Sequence, residues 1–384
     1  MIAVALESLE FCVATRAILL SIALHNMPAP TSAGWRFSRN TGKWTHVEAD
    51  AASTQPAAPL QRPLKLATLN CLFDIGYDKE MDEVLQHKIR QEAICRELET
   101  LDADVVGLNE VTRTLAERVL NEEWVRRSYT VDLVLDDERC AHVSSLSGKC
   151  GKMMLSKIPP ASVEYIAKPR QVKGEDHVMT LCLSDPDGRP LRVAISSAHF
   201  KAAPWINEGV RRMELAHLSA SLTTGSDTTA AADACIIMGD FNFHREAENS
   251  SIPAGWSEIP AVVALGETWD FAKNAMMAHY LPLHNFYNGF GLGATFGWPS
   301  PMRLDRIVVH GAGLDCAAAT AKLFANEPID ERAKGRPPLP QAGRALREAH
   351  RALPWQDYLF MSDHFGICVE LPLKALSESA EPLM

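Results

Sequence analysis

From Leu64 onward, apolar runs of strand length recur along the chain, and amphipathic stretches with helical spacing lie between some of them. LKLATLNCLF (Leu64–Phe73), ADVVGLNEV (Ala103–Val111), RVAISSAHF (Arg192–Phe200), ACIIMGDFN (Ala234–Asn242), LDRIVVH (Leu304–His310) and FGICVELPL (Phe365–Leu373) read as buried strands. HKIRQEAICRELETL (His87–Leu101) places Ile89, Ala93, Ile94 and Leu98 on one helical face, and NEGVRRMELAHLSASL (Asn207–Leu222) is a second helix. Strands and helices alternate without a glycine-rich phosphate loop or a fixed-period repeat, which predicts an α/β layered domain.

Residues 25–63 are rich in Pro, Ala, Ser and Thr, the composition of a linker or disordered tail. Within them WRFSRNTGKWTHVE (Trp35–Glu48) predicts a short hairpin around Asn40, Thr41 and Gly42. Further upstream, ATRAILLSIAL (Ala14–Leu24) is too short to span a bilayer, and Glu7 and Glu10 precede it where a signal peptide carries positive charge. It reads either as a targeting segment or as an over-extended start, with Met27 as the first residue. Residues 1–63 are accordingly expected to be a tail, 64–374 the main folded domain and 375–384 a second tail. Residues 325–356 are Pro- and Arg-rich, and they predict an insertion with a mobile flap before the last strand.

Composition narrows the class. Of the 384 residues, 47% are hydrophobic and 22% charged, as in a soluble globular protein. The net charge of −10 excludes a generally basic nucleic-acid binder, so contact with nucleic acid must rest on a local patch or on a bound cation. Nine cysteines form no CxxC pair, and the expectation is reduced core residues in a cytoplasmic or nuclear protein.

The candidate chemistry lies at the ends of the apolar runs: Asn70, Glu110, His199, Asp240 with Asn242, Asp305, and Asp363 with His364. Taken singly, each has an ordinary reading. Asn70 and Asp305 suit turns, Glu110 suits a helix start, His199 suits a structural hydrogen bond, and Asp363-His364 suits a turn. Together, and in this order, they point to a cleft at one edge of a sheet. Period-two alternation predicts that Asp240 and Asn242 face the same way and Phe241 the other.

TLNCLFD (Thr68–Asp74), DADVVGLNEV (Asp102–Val111), SSAHF (Ser196–Phe200), IIMGDFNF (Ile236–Phe243), RLDRIVV (Arg303–Val309) and MSDHFGI (Met361–Ile367) span about 300 residues. This set resembles the endonuclease/exonuclease/phosphatase superfamily, the group of deoxyribonuclease I, the abasic-site endonucleases and the 5′ tyrosyl-DNA phosphodiesterases. The resemblance implies a four-layer α/β sandwich with two packed mixed β-sheets and the site at one end. It implies hydrolysis of a phosphate ester with Mg²⁺, or Mn²⁺ in its place. A monomer is expected, although the sequence does not fix the oligomeric state. Glu110, Asn70 and Asp363 would hold the metal. Asp240 would deprotonate the attacking water and Asn242 orient it. His364, held by Asp305, and His199 would contact the phosphate.

Two positions depart from relatives that act in DNA repair. Leu72 stands where several carry an acidic residue, with Asp74 as a substitute if the loop turns back, and Asn109 stands where Gln is usual before the metal-binding Glu. GDFNFHREAENSSIPAGW (Gly239–Trp256) and TFGWPSPMRLDRI (Thr295–Ile307) look most like the tyrosyl-DNA phosphodiesterase group. An RNA exonuclease of the deadenylase or 2′-5′ type, a sphingomyelinase-like enzyme and a non-catalytic binding protein are the alternatives. Phe296 and Trp298 are candidates to stack on a base or tyrosyl ring, and Lys149, Lys152, Arg303 and Arg306 to meet a phosphate backbone.

Overall fold

The apolar runs form strands that build a four-layer sandwich in the computed structural model. It describes residues 32–376 apart from 50–59, 61, 74–82, 138–139, 141–149, 171, 173, 203–206, 225–231, 281–300 and 331–353. The strands are β1 (Ser32–Ser38), β2 (Lys43–Glu48), β3 (Leu64–Asn70), β4 (Val105–Val111), β5 (Thr130–Val131), β6 (Gly151–Ser156) and β7 (Ser162–Ala167). They continue with β8 (Glu175–Ser184), β9 (Pro190–His199), β10 (Ala234–Asp240), β11 (Trp256–Glu258), β12 (Asp305–Gly311), β13 (Thr320–Phe324) and β14 (Gly366–Leu371). The ladder runs β11-β12-β10-β9-β8-β7-β1-β5-β6-β4-β3-β14-β13, with β2 added to β1.

This ladder folds back on itself at β1, which pairs with β7 through Ser32 and with β5 through Trp35 and Arg36. The two halves then face each other. Leu66, Val105 and Met154 from one half and Met179, Ile195, Ile236 and Ile307 from the other share one core. Helices α1 (His87–Leu101), α2 (Arg113–Asn121) and α3 (Glu123–Ser128) cover the outer face of the first half, where Ile94, Leu98, Leu115, Val119 and Trp124 meet Leu69, Val106 and Leu108. On the second half, α4 (Glu208–Thr224) sets Leu215, Leu218 and Leu222 against Ala194, Cys235, Ile237 and Val308. No helix among the described residues is long and apolar enough to cross a membrane.

Two features differ from the sequence expectation. The hairpin assigned to the N-terminal tail is an integral part of the sheet: Trp35 is 2% exposed in the core, and the compact unit begins at Ser32 rather than Leu64. Its strands are too short and too polar to announce this; the pairing partners lie about a hundred residues away. Strands β6, β7, β8 and β13 also escaped the pattern. In β6 and β8 the buried polar residues Lys152, Asp176 and His177 interrupt the apolar alternation. Of the 325–356 insertion, residues 331–353 lie outside the described residues, as do 1–31 and 377–384.

One of those polar residues clamps the halves together. Asp132, just after β5, sits 2.5 Å by Oδ2 from Nδ1 of His177 on β8, and both are buried. Tyr165 donates its hydroxyl to the Asp132 carbonyl. Burial pulls the His177 value down, but the Asp132 carboxylate outweighs it and the net shift is upward from 6.5. A raised folded value means that the ionised pair contributes its full stability below pH 6.5 and loses it as pH rises through the folded value. The gap in urea midpoint between the wild type and His177→Gln is therefore expected to be wider at pH 6 than at pH 9; a gap that does not narrow refutes the ionised clamp.

Candidate active site

The carboxyl ends of the parallel pairs β3/β4 and β9/β10 and the starts of the antiparallel strands β12 and β14 meet at one edge of the sandwich. In the second sheet Asp240 is in register with His199 on one side and Asp305 on the other, so three functional side chains stand in a row. In the first sheet Asn70 is in register with Asn109, and Glu110 follows.

Asp240 joins the rows. Its Oδ2 accepts from Asn70 Nδ2 at 3.0 Å across the sandwich and from Asn242 Nδ2 at 2.9 Å, while Oδ1 accepts from the Asn242 backbone N–H at 2.8 Å. The side chain is almost fully buried, and burial pushes its carboxyl up to about 7, against the opposing pull of His364. Gly239 before it has φ +137°, and a Cβ there would lie 2.0 Å from the Ala198 carbonyl oxygen. The chain can reach this position only with glycine.

Asn242 and Asp240 do lie together, but not by strand alternation. The strand ends at Asp240, and Asn242 has φ 51°, in the left-handed region that asparagine tolerates. A turn closed on the Asp240 carboxylate brings Asn242 back, and its Nδ2 also donates to the Phe200 carbonyl at 3.0 Å. Phe241 points away as expected, into the core beneath α4 with Phe200 and Phe243.

Glu110 reaches the site through an irregularity. The β4–β6 register shifts between Asn109 and Val111, and Glu110 has φ 54°. Such a bulge re-aims a side chain that regular alternation would send to the opposite face from its neighbour. Oε1 then accepts from Asn70 Nδ2 at 3.0 Å and Oε2 from the Phe73 N–H at 3.0 Å. Burial, and then the Asp363 carboxylate, push its carboxyl above the ordinary value.

Two imidazoles flank the carboxylates. His199 Nε2 is 3.6 Å from both Glu110 Oε1 and Asp240 Oδ2, and it has no hydrogen-bond partner among the described residues. Burial, followed by Lys168 and Lys152, holds it well below 6.5 and therefore neutral. His364 is the opposite case. Burial lowers it, but Asp305, Asp363 and Asp240 together raise it well above 6.5. Its Nδ1 bonds Asp305 Oδ2 at 2.8 Å, which leaves Nε2, 4.0 Å from Asp240 Oδ2, facing the cleft.

Several further residues position these groups; of them the sequence noted only Asn109, and without a positioning role. Asn109 accepts the Asp240 backbone N–H at 3.0 Å and donates to Ser197 at 3.1 Å, so the asparagine that departs from the usual Gln ties the two sheets beneath the site. Thr268 accepts the backbone N–H groups of Leu304 and Asp305. Trp269 donates its indole N–H to Asp363 Oδ2 at 3.3 Å, and Ser362 donates to the Asn70 carbonyl at 2.6 Å. Asn109, Ser197 and Ser362 lie inside motifs already noted, and Thr268 and Trp269 carry no pattern of their own.

Three of the four basic residues offered to a phosphate backbone, Lys152, Arg303 and Arg306, are engaged elsewhere. Lys152 is the ladder neighbour of Asn109, so it points between the sheets, where Nζ pairs with Asp176 at 2.6 Å. Arg306 follows Asp305 and so projects from the opposite face, onto the Phe243 ring and Glu258; Arg303 bonds Glu258 as well. Asp74, Lys149, Phe296 and Trp298 lie outside the described residues. Leu72 has φ 52° and belongs to a buried apolar cluster, so it supplies no ligand.

Glu110, His199 and Asp240 place ligand atoms within 4.8 Å of one another, as do Asp240, Asp305 and His364. Asp363 belongs to neither group. Buried, destabilised carboxylates beside a nitrogen and an Asp305 Oδ1 that have no hydrogen-bond partner among the described residues fit a hard divalent cation, which takes oxygen ligands and neutralises their charge.

A family model described as the Endonuclease/Exonuclease/phosphatase family matches residues 67–364. No curated protein sequence matches the chain. Among solved structures, truncated Caenorhabditis elegans TDP2 is similar at 15% identity and a TM-score of 0.52, over 81% of this chain and 97% of that one. D. rerio TDP2 complexed with single strand DNA product is similar at 18% identity and a TM-score of 0.50, over 80% of this chain and 98% of that one. These likenesses concern the fold.

The left-handed turn after Asp240 is open to a direct check. Asn242→Ala loses the side-chain bonds and adds strain of about 1–2 kcal/mol that glycine avoids. Asn242→Gly is therefore expected to unfold at higher urea than Asn242→Ala. Equal midpoints would refute the strain.

Proposed function

Because the chain belongs to the endonuclease/exonuclease/phosphatase family, whose members hydrolyse phosphoester bonds, we propose that it is a Mg²⁺-dependent phosphodiesterase acting on nucleic acid. The first substrate in view is a 5′-phosphotyrosyl DNA end. The observation that carries the hydrolytic reading is the Asp240 carboxylate, held by Asn70 and Asn242 between a neutral and a charged imidazole. The DNA reading rests on the fold shared with TDP2, a 5′ tyrosyl-DNA phosphodiesterase, one structure of which holds a single-strand DNA product. The engagement of Lys152, Arg303 and Arg306 by carboxylates of the chain itself favours contact near one phosphate over a long duplex track.

Glu110, with Asn70 beside it and Asp363 nearby, would hold the cation. Bound there, it would neutralise phosphate charge and ease departure of the leaving oxygen. Asp240 takes the proton of the attacking water at its carboxylate. Asn242, fixed on that carboxylate, orients the water. His364 donates from Nε2 to a phosphate oxygen, and Asp305 keeps the imidazolium charged and aimed. His199, neutral, offers Nε2 from the opposite side.

The test is tyrosine release from a 5′-phosphotyrosyl single-stranded oligonucleotide, with poly(A) RNA, an abasic duplex and sphingomyelin in parallel. Tyrosine release is expected with Mg²⁺, lost in a chelator and restored by Mg²⁺ or Mn²⁺. Asp240→Ala is expected to lower kcat by about 100-fold or more. Metal-dependent cleavage of a different ester moves the substrate and keeps the chemistry; cleavage of none overturns the reading.

A further inference from the structure

We propose that α4 is a positioning element for the reaction, in which Arg211 and Glu214 fix the two strand exits that carry His199, Asp240 and Asn242. The proposal rests on the hydrolytic reading of that site. Its starting observation is a break in pattern. The buried face of α4 comprises Arg211, Glu214, Leu215, Leu218, Ser219 and Leu222. Helical spacing thus assigns Arg211 and Glu214 to the face that farther along is leucine packed on the sheet. Both are buried, where an unpaired charge is strongly disfavoured.

Each is paired, and each pair grips backbone beside the site. Glu214 Oε1 lies 2.6 Å from Lys168 Nζ, and Oε2 accepts the Lys201 N–H at 2.8 Å. Lys168 Nζ also donates to the His199 carbonyl at 2.5 Å. Arg211 Nη1 donates to the Lys201 carbonyl at 3.2 Å, and its Nε and Nη2 bond Glu248 Oε2 at 2.8 and 2.7 Å. Glu248 Oε1 in turn accepts the N–H groups of His244 and Arg245 at 2.9 and 3.3 Å. Residues 199–201 and 244–245 are thereby held by one helix.

Between them, Phe200 donates its N–H to the Asp240 carbonyl at 2.9 Å and accepts Asn242 Nδ2 on its own carbonyl. Any shift of 199–201 therefore moves His199 directly and Asn242 through Phe200. Buried ion pairs add little stability over a well-packed apolar replacement, so stability alone does not account for two of them on one helical face. Placement of reacting groups does, because displacement by about 1 Å can cost about 100-fold in rate.

The experiment compares Glu214→Gln, Glu214→Leu and, as a packing control on the same helix, Leu218→Ala. Each is assayed for kcat and KM well below its own Tm, with the His199 ring signal followed by NMR in ¹⁵N-histidine-labelled protein. Glu214→Leu is expected to lower kcat by about 100-fold with little change in KM. Glu214→Gln keeps an acceptor and recovers part of the loss; it also serves if Glu214→Leu does not fold. Leu218→Ala lowers Tm but leaves kcat and the His199 signal in place. A fall in Tm alone in the Glu214 variants, with kcat and the His199 signal unchanged, overturns the proposal. If the wild type cleaves no ester, the function reading fails by itself, and the His199 signal still decides the positioning: a shift in Glu214→Gln supports it and no shift overturns it.

Discussion

The hydrogen bonds from Asn70 to Asp240 and Glu110 are the constraint on which the site depends. Asn70 ends a strand of one sheet and Asp240 ends a strand of the other, and the amide of Asn70 reaches Asp240 Oδ2 and Glu110 Oε1 at 3.0 Å each. That reach exists only while the sheets hold their separation. Leu66, Val105, Met154, Ile195 and Ile236 set it from the apolar interior. Asn109 sets it at the polar end, where its side chain spans to Ser197 and to the Asp240 N–H. A buried carboxylate in such a place must be hydrogen-bonded or it protonates, and each oxygen of Asp240 has a donor.

The same burial sorts the two imidazoles. Both lose solvation, which favours the neutral form. His364 faces three carboxylates and is charged; His199 faces lysines as well as carboxylates and is neutral. One site therefore offers two unlike nitrogens on either side of one carboxylate, a division produced by neighbours rather than by residue type. The charged residues behind His199, Lys168 with Glu214 and Lys152 with Asp176, are part of that environment and also of its mechanical support.

A polar layer thus closes the sandwich at its functional end. Moving along the interior from the apolar core, the side chains become Asn70, Asn109 and Lys152 on one sheet and Asp176, Ser197 and Asp240 on the other. Within this layer Asp176 takes the charge of Lys152, while Arg303 and Arg306 are taken by Glu258 outside it. The net charge of −10 therefore does not conflict with membership of a family that acts on phosphate esters.

The chain's own periodicity determined the six apolar strands, the two long helices and the edge at which Asn70, Glu110, His199, Asp240, Asp305, Asp363 and His364 assemble. Those signals are local, since burial on both faces demands a continuous apolar run and a strand end demands a polar stop. Tertiary structure decided what local period cannot encode. Glu110 turns into the site through a bulge and a left-handed φ, and Asn242 returns to Asp240 through a turn rather than a pleat. The hairpin at Ser32–Glu48 becomes the corner of the sandwich because its partners are remote. Lys152, Arg303 and Arg306 look like substrate contacts in a string of letters and prove to be internal partners. A charge has no period, and its role is fixed only by the opposite charge that folding brings beside it.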